Sequence, residues 1–228
     1  MNRGNRRNKY NFKTSSYQSG MTLVELIVVL TIFVLVTGLT IFDYKNFRTN
    51  ISIQNLANDI SLSIRKAQSY AIGAHVTGVT FNNGYGVHFT SNPIATGILS
   101  GSNKSFIIFV DGILGSLSLD RMYGYNLSDI TCGLLNECNE ILNITTTDKI
   151  DAIYLNGSTT PISDTSSLDI SFLRPNPDAR FCYRLIAMTS SCDSTPTNAK
   201  IQISNGATGT DKRIKTITIW NTGQISVK

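Results

Sequence analysis

An apolar run from Met21 to Phe42 constrains this chain more than any other feature. Its 22 residues contain one charged side chain, Glu25. A helix needs about 20 predominantly apolar residues to cross a bilayer, so the run is long enough to span one. It is preceded by five basic residues and no acidic residue: Arg3, Arg6, Arg7, Lys9 and Lys13. Because flanking positive charge stays in the cytoplasm, we predict a single-pass membrane protein whose residues after Phe42 are exported.

Charge and composition describe the exported part as a neutral folded region. The formal net charge is +5. Removing the five basic residues before Gly20 from the total of 20 leaves 15, which equals the number of acidic residues. Hydrophobic residues make up 41% of the chain and charged residues 15%, against about 25% charged in an average protein. The overall charge therefore gives no indication of a nucleic-acid partner.

After Phe42 the apolar pattern becomes one-sided. The apolar residues of this second segment recur at helical spacing: Ile53, Leu56, Ala57, Ile60, Ile64, Ala67 and Ala71. We predict that the helix continues to Ile72 and that Gly73 ends it. The helix would then consist of an apolar half, residues 21–42, and an amphipathic half, residues 43–73.

Residues 74–228 contain short apolar runs separated by Gly, Asn and Ser, which is typical of β-strands. The predicted strands are 75–81, 85–89, 105–110, 153–155, 168–173, 181–188, 200–203, 214–220 and 224–227, with hairpin turns at 82–84 and 221–223. The stretch 120–149 is less periodic and is predicted to be loop. The sequence thus predicts an α+β fold, in which a long N-terminal helix packs on a β-rich C-terminal head.

Four cysteines lie in the exported part, where an oxidising compartment favours disulfides. The sequence alone allows three pairings. We favour Cys132 with Cys138 and Cys182 with Cys192, because each pair brackets a short polar segment and small loops close easily. A zinc site is the alternative, but neither spacing is that of a zinc knuckle and the chain has two histidines.

The residues around the start of the apolar run, Ser19-Gly20-Met21-Thr22-Leu23-Val24-Glu25-Leu26, resemble the cleavage signal of type IV prepilins and pseudopilins. The resemblance implies a pilin-like fold and a prepilin peptidase that cuts after Gly20 and removes residues 1–20 as a leader. It also implies N-methylation of the new terminus at Met21. Glu25 would then pair with the Met21 amino group of a neighbouring pilin or pseudopilin in a filament, at the inner membrane and afterwards in the periplasm or at the surface.

Three further segments resemble the minor pseudopilins of the H class: residues 65–72, 106–112 and 217–227. This resemblance implies a structural minor subunit of a type II secretion pseudopilus or a related type IV pilus. A minor type IV pilin acting in DNA uptake or adhesion is the first alternative. A signal-anchored extracytoplasmic enzyme or binding protein is the second. Phe42 stands where many type IV pilins have proline, which leaves the filament geometry open.

No arrangement of residues indicates an enzyme, a cofactor or a metal site. His75 and His88 fall in predicted strands without a nucleophile or carboxylate motif, so we interpret them as structural. Asp111 precedes a glycine and is interpreted as a turn aspartate rather than a calcium ligand. One basic cluster, formed by Arg174, Arg180 and Arg184, suits a DNA phosphate, but nearby aspartates favour a solvated loop.

Overall fold

The structure is a computed structural model that describes residues 20–73, 84–94, 98–112, 120–124, 131–132, 136–162, 166–184, 190–192 and 196–228, without the side chains of residues 42, 43, 45, 46, 190 and 191. The described elements follow in chain order: α1 (Leu23–Ile72), β1 (Gly84–Thr90), β2 (Ser105–Asp111), β3 (Cys138–Asn143), β4 (Lys149–Leu155), β5 (Ser167–Phe172), β6 (Ala179–Arg184), β7 (Ser190–Ser191), β8 (Asn198–Ser204), β9 (Ile214–Trp220) and β10 (Ile225–Val227). Short 3-10 turns lie at Ile98–Ser100 and Gly209–Asp211. The predicted α+β fold is confirmed.

The chain divides into two compact units between Lys45 and Asn46. The second unit contains the amphipathic half of α1 from residue 46 onward, and all seven residues of its predicted apolar stripe are buried. They join one hydrophobic core with side chains from both β-sheets. The helix ends at Ile72, and the Gly73 N–H donates to the Ser69 carbonyl at 2.8 Å. Helical periodicity therefore predicted both the buried face and the end of the helix.

The described strands form two antiparallel sheets. One has the order β3-β2-β1-β5-β6-β7, and the other has the order β10-β9-β8-β4. β1 and β2 are buried along their whole length, because other elements cover both of their faces. In β1, a Cβ at Gly86 would lie 2.4 Å from the Phe109 ring and 2.7 Å from the Ile170 carbonyl. Glycine is required there by the close approach of both neighbouring strands.

One prediction for this region is wrong, and a second falls largely on residues that the structure does not describe. The stretch 120–149 was predicted to be loop, but residues 138–143 form β3 and residue 149 begins β4. β3 lacks a clean alternation of apolar and polar residues, and its pairing with β2 holds it in the sheet. The predicted strand 75–81 and most of the predicted turn 82–84 lie outside the described residues, and Gly84 opens β1.

The closing hairpin is confirmed. β9 and β10 pair with Ile225 opposite Ile219, and Gly223 occupies the turn with a φ of +79°. The Gly223 N–H donates to the Trp220 carbonyl at 2.8 Å. A Cβ at Gly223 would meet the Gln68 amide and the Pro177 carbonyl within 2.5 Å. Position 223 therefore requires glycine for two reasons: the positive φ, and the close packing of the turn against α1.

Candidate processing and assembly segment

The backbone changes from non-helical to helical directly after the predicted cleavage site. Residues 20–22 are not helical, and α1 begins at Leu23. Gly20 and Met21 are both exposed, and a Cβ added to Gly20 would meet nothing within 4 Å. No contact among the described residues thus requires glycine at position 20. The resemblance to prepilins implies a different reason, namely recognition by the peptidase that cuts after this residue.

Thr22 caps the start of the helix. Its Oγ1 accepts the Glu25 N–H at 3.3 Å, and its carbonyl accepts the Leu26 N–H at 3.1 Å. Thr22 followed three residues later by Glu25 is the spacing of a capping box, and a carboxylate in the first turn complements the helix dipole. The sequence reasoning missed this cap, although the spacing could have revealed it. Glu25 thus has a local role in helix initiation beside any role in assembly.

The large apolar side chains from Met21 to Ile41 are all exposed. The described residues contain one helix long and apolar enough to cross a membrane, Leu23–Ile41, and none of its window is buried within the chain. Its threonines do not oppose insertion. Thr31 and Thr37 donate their hydroxyls to the carbonyls of Ile27 and Phe33 at 2.8 and 2.7 Å. Hydroxyls that are satisfied within the helix cost little in a lipid environment.

Both predicted disulfides are present in the head. Cys132 bonds Cys138, and Cys182 bonds Cys192. The first links the chain before β3 to its first residue. The second connects the middle of β6 to the residue that follows β7. β3 and β7 are the two edge strands of the six-stranded sheet. Each disulfide therefore ties down one edge of this sheet.

His88 is a buried structural histidine, as predicted, while His75 lies outside the described residues. The His88 Nδ1 lies 2.6 Å from Asp169 Oδ1, and the other oxygen of Asp169 accepts the Tyr123 N–H at 3.2 Å. His88 and Asp169 face each other on the paired strands β1 and β5. The pair holds residues 120–124 against the sheet. Sequence reasoning missed Asp169, because nothing in the sequence indicated that these two strands are neighbours.

Asp111 and Glu137 form a second buried polar site beside the first. Asp111 ends β2, and its carboxylate accepts the Arg121 N–H at 3.0 Å. Glu137 accepts N–H groups from Gly112 and Gly124. Burial, reinforced by the charge of Asp120, raises the pKa of Asp111 to about 6. Burial also raises the pKa of Glu137 to about 7, although the hydrogen bonds from the two N–H groups lower this pKa.

The arginines of the predicted basic cluster have different surroundings. Arg174 and Arg180 are exposed, whereas Arg184 is half-buried and donates to the Tyr123 carbonyl at 3.3 Å. Trp220 is half-buried on β9, opposite Asn198 of β8. Among the described residues, no group of three or more His, Cys, Asp or Glu side chains could hold a metal ion.

Comparison with known proteins identifies the N-terminal segment only. Residues 15–41 match the family model described as the prokaryotic N-terminal methylation motif. No curated protein matches the chain, and no solved structure matches it either. The matched residues include Gly20, Met21 and Glu25 and end at the last residue of the membrane-spanning candidate. The chain thus carries the signal of a type IV pilin-like precursor, which implies processing by a prepilin peptidase and assembly with other pilins.

Proposed function

We propose that this protein is a structural minor subunit, a pseudopilin of the H class, of a type II secretion pseudopilus or a related type IV pilus filament. It has no catalytic role in this proposal. Prepilin peptidase removes residues 1–20, the new Met21 terminus is methylated, and the apolar half of α1 anchors the subunit in the inner membrane. The same segment then joins the filament by packing against neighbouring subunits.

One observation carries the proposal. The apolar segment Leu23–Ile41 is entirely unburied within the chain, while the amphipathic half of the same helix is packed into a core. An apolar surface of this size must be covered by lipid or by other apolar helices. Covering by lipid alone would make the chain a simple anchored protein. The methylation motif over the same residues supports covering by neighbouring pilin helices as well.

Glu25 is the residue that we assign to subunit docking. It is exposed in the first turn of α1, and its N–H is already bonded to Thr22. In an assembled filament its carboxylate meets the Met21 ammonium of a neighbour in a surrounding of low dielectric. A charge left there without its partner costs about 3 to 5 kcal/mol. Membrane insertion precedes docking and needs no such partner. Glu25 lies near the end of the helix, where its carboxylate can reach water.

The test is to replace Glu25 in cells that contain the complete assembly machinery. We expect Glu25→Val to insert and lose its leader normally, while its recovery in sheared filaments falls by about a hundredfold or more. Glu25→Gln keeps the shape of the side chain and removes the charge, so it should be equally deficient. Thr22→Val removes the helix cap but keeps the carboxylate of Glu25. It is the control for an effect of Glu25 on helix initiation alone. Normal filament recovery of Glu25→Val would refute the docking role.

A further inference from the structure

A groove in the second unit combines exposed apolar side chains with basic ones. It lies between the start of the amphipathic half of α1 and the start of β9, and its volume is about 430 Å³. The five residues that matter here are called the basal patch: Phe47, Ile51, Arg213, Ile214 and Lys215. Phe47 is 61% exposed, Ile51 43% and Ile214 45%. These three apolar side chains lie outside the core of the head and leave a surface for something else to cover.

The charge of the basal patch is positive. Arg213 and Lys215 make no salt bridge with any acid among the described residues. The neighbouring Lys212 is different, since its ammonium pairs with Asp151 at 2.7 Å. Asp211 is the one acid in the segment 211–215, which also carries three basic residues. The patch therefore presents a net positive rim around an apolar centre, which complements a surface of acidic headgroups over acyl chains.

The covalent chain keeps this patch close to a membrane. Phe47 lies six positions after Ile41, the end of the membrane-spanning candidate. A chain of six residues reaches at most about 20 Å, even when it is fully extended. The headgroup region extends about 5 to 8 Å beyond the hydrocarbon core on each side. The length of the connection therefore allows the patch to contact the headgroups.

We propose that the basal patch lies on the anionic phospholipid surface while the subunit is anchored in the membrane. Phe47, Ile51 and Ile214 enter the boundary between headgroups and acyl chains, and Arg213 and Lys215 bind the phosphates. Each basic residue at such a surface strengthens binding by about fivefold. The inference rests on the membrane anchoring in the proposed function. It goes beyond that function by giving the head a lipid contact, which assembly into a filament would have to break.

The experiment uses the full chain in lipid nanodiscs. Trp220 is the single tryptophan, so Trp220→Phe gives a background into which Ile214→Trp places a reporter within the patch. Ile94→Trp is the matched control, because Ile94 is 72% exposed elsewhere on the head. The discs contain either brominated phosphatidylglycerol mixed with phosphatidylcholine or brominated phosphatidylcholine alone. Bromine quenches a tryptophan that contacts the acyl chains.

We expect the reporter at position 214 to be quenched about twofold or more in the anionic discs, and the reporter at position 94 to be unaffected. Arg213→Glu with Lys215→Glu should abolish the quenching. Arg180→Glu with Lys200→Glu, which replaces one arginine and one lysine away from the start of β9, should retain it.

Three results would overturn the proposal. The first is an absence of quenching at position 214 in anionic discs that retain the chain. The second is equal quenching at positions 214 and 94. The third is an emission from position 214 that is blue-shifted but not quenched, and that is seen only in discs containing two chains. A second copy of the chain would then cover the patch. Recovery of the chain with the discs reports the anchoring separately, so a chain found outside the discs would refute the anchoring as well.

Discussion

The two halves of α1 carry the same kinds of aliphatic side chain in opposite surroundings. From Leu23 to Ile41, the large apolar residues are between 49% and 73% exposed. From Ile53 to Ala71, the residues of the apolar stripe are at most 7% exposed. The second half owes its burial to two sheets of the same chain. The first half has no such partner among the described residues of its unit, and we explain its apolar surface by molecules outside the chain.

The strongest test of this comparison places one substitution in each half. Ile60 is fully buried and Ile32 is 56% exposed, so Ile60→Ala and Ile32→Ala make the same chemical change in different surroundings. We expect Ile60→Ala to lower the free energy of unfolding of the head by about 2 to 5 kcal/mol and Ile32→Ala to leave it unchanged. Trp220 lies in the head, so its fluorescence during urea unfolding of the detergent-solubilised chain measures this quantity. Equal effects at the two positions would contradict the comparison.

A second test uses a carboxyl group that is buried in the head. Folded Glu137 keeps its proton up to about pH 7, whereas the ordinary glutamic acid pKa is 4.5. The folded state therefore binds the extra proton, and linkage makes stability greatest below about pH 4.5 and smaller as the pH rises through 7. Glu137→Gln should remove a pH-dependent part of the free energy of unfolding of about 3 kcal/mol. Urea unfolding at a series of pH values measures it.

Asp111 provides a check on the same explanation. Its raised pKa of about 6 predicts that Asp111→Asn flattens the profile at lower pH than Glu137→Gln does. The contradicting result would be a free energy of unfolding that rises from pH 4.5 to 7 by the same amount in the wild type and in both variants. Burial of these carboxyls would then not control the pH dependence.

The parts of the fold that sequence could predict are those with a local signal. The helical stripe from Ile53 to Ala71 and the hairpin at Gly223 follow from spacing and turn chemistry, and both are confirmed. The strand β3 was missed, because its residues contain two asparagines and a glutamate without alternation. What holds it is pairing with β2 and the ion pair between Glu140 and Lys66 of α1. Such contacts are determined by tertiary structure and leave no local pattern.

The candidate site divides in the same way. Gly20, Met21 and Glu25 were identified from a contiguous motif, and the matched family model covers those residues. The two disulfides were predicted because each closes a short loop. By contrast, the buried pair of His88 and Asp169 joins residues that are 81 positions apart. Only the neighbouring positions of β1 and β5 bring them together, and that neighbourhood has no signature in the sequence.

The most direct test of the central claim is the intact mass of the chain after expression with an active prepilin peptidase. A type IV pilin-like precursor should lose residues 1–20 and begin at a singly methylated Met21. A Cβ at either Gly20 or Gly38 would meet nothing within 4 Å, so substitution at either site should leave the fold intact. Gly20→Val should block the cleavage, and Gly38→Ala should not. An uncleaved wild-type chain would contradict the account. So would cleavage near Gly38, because Val36 and Gly38 form a weak site for the peptidase of ordinary secretory signals.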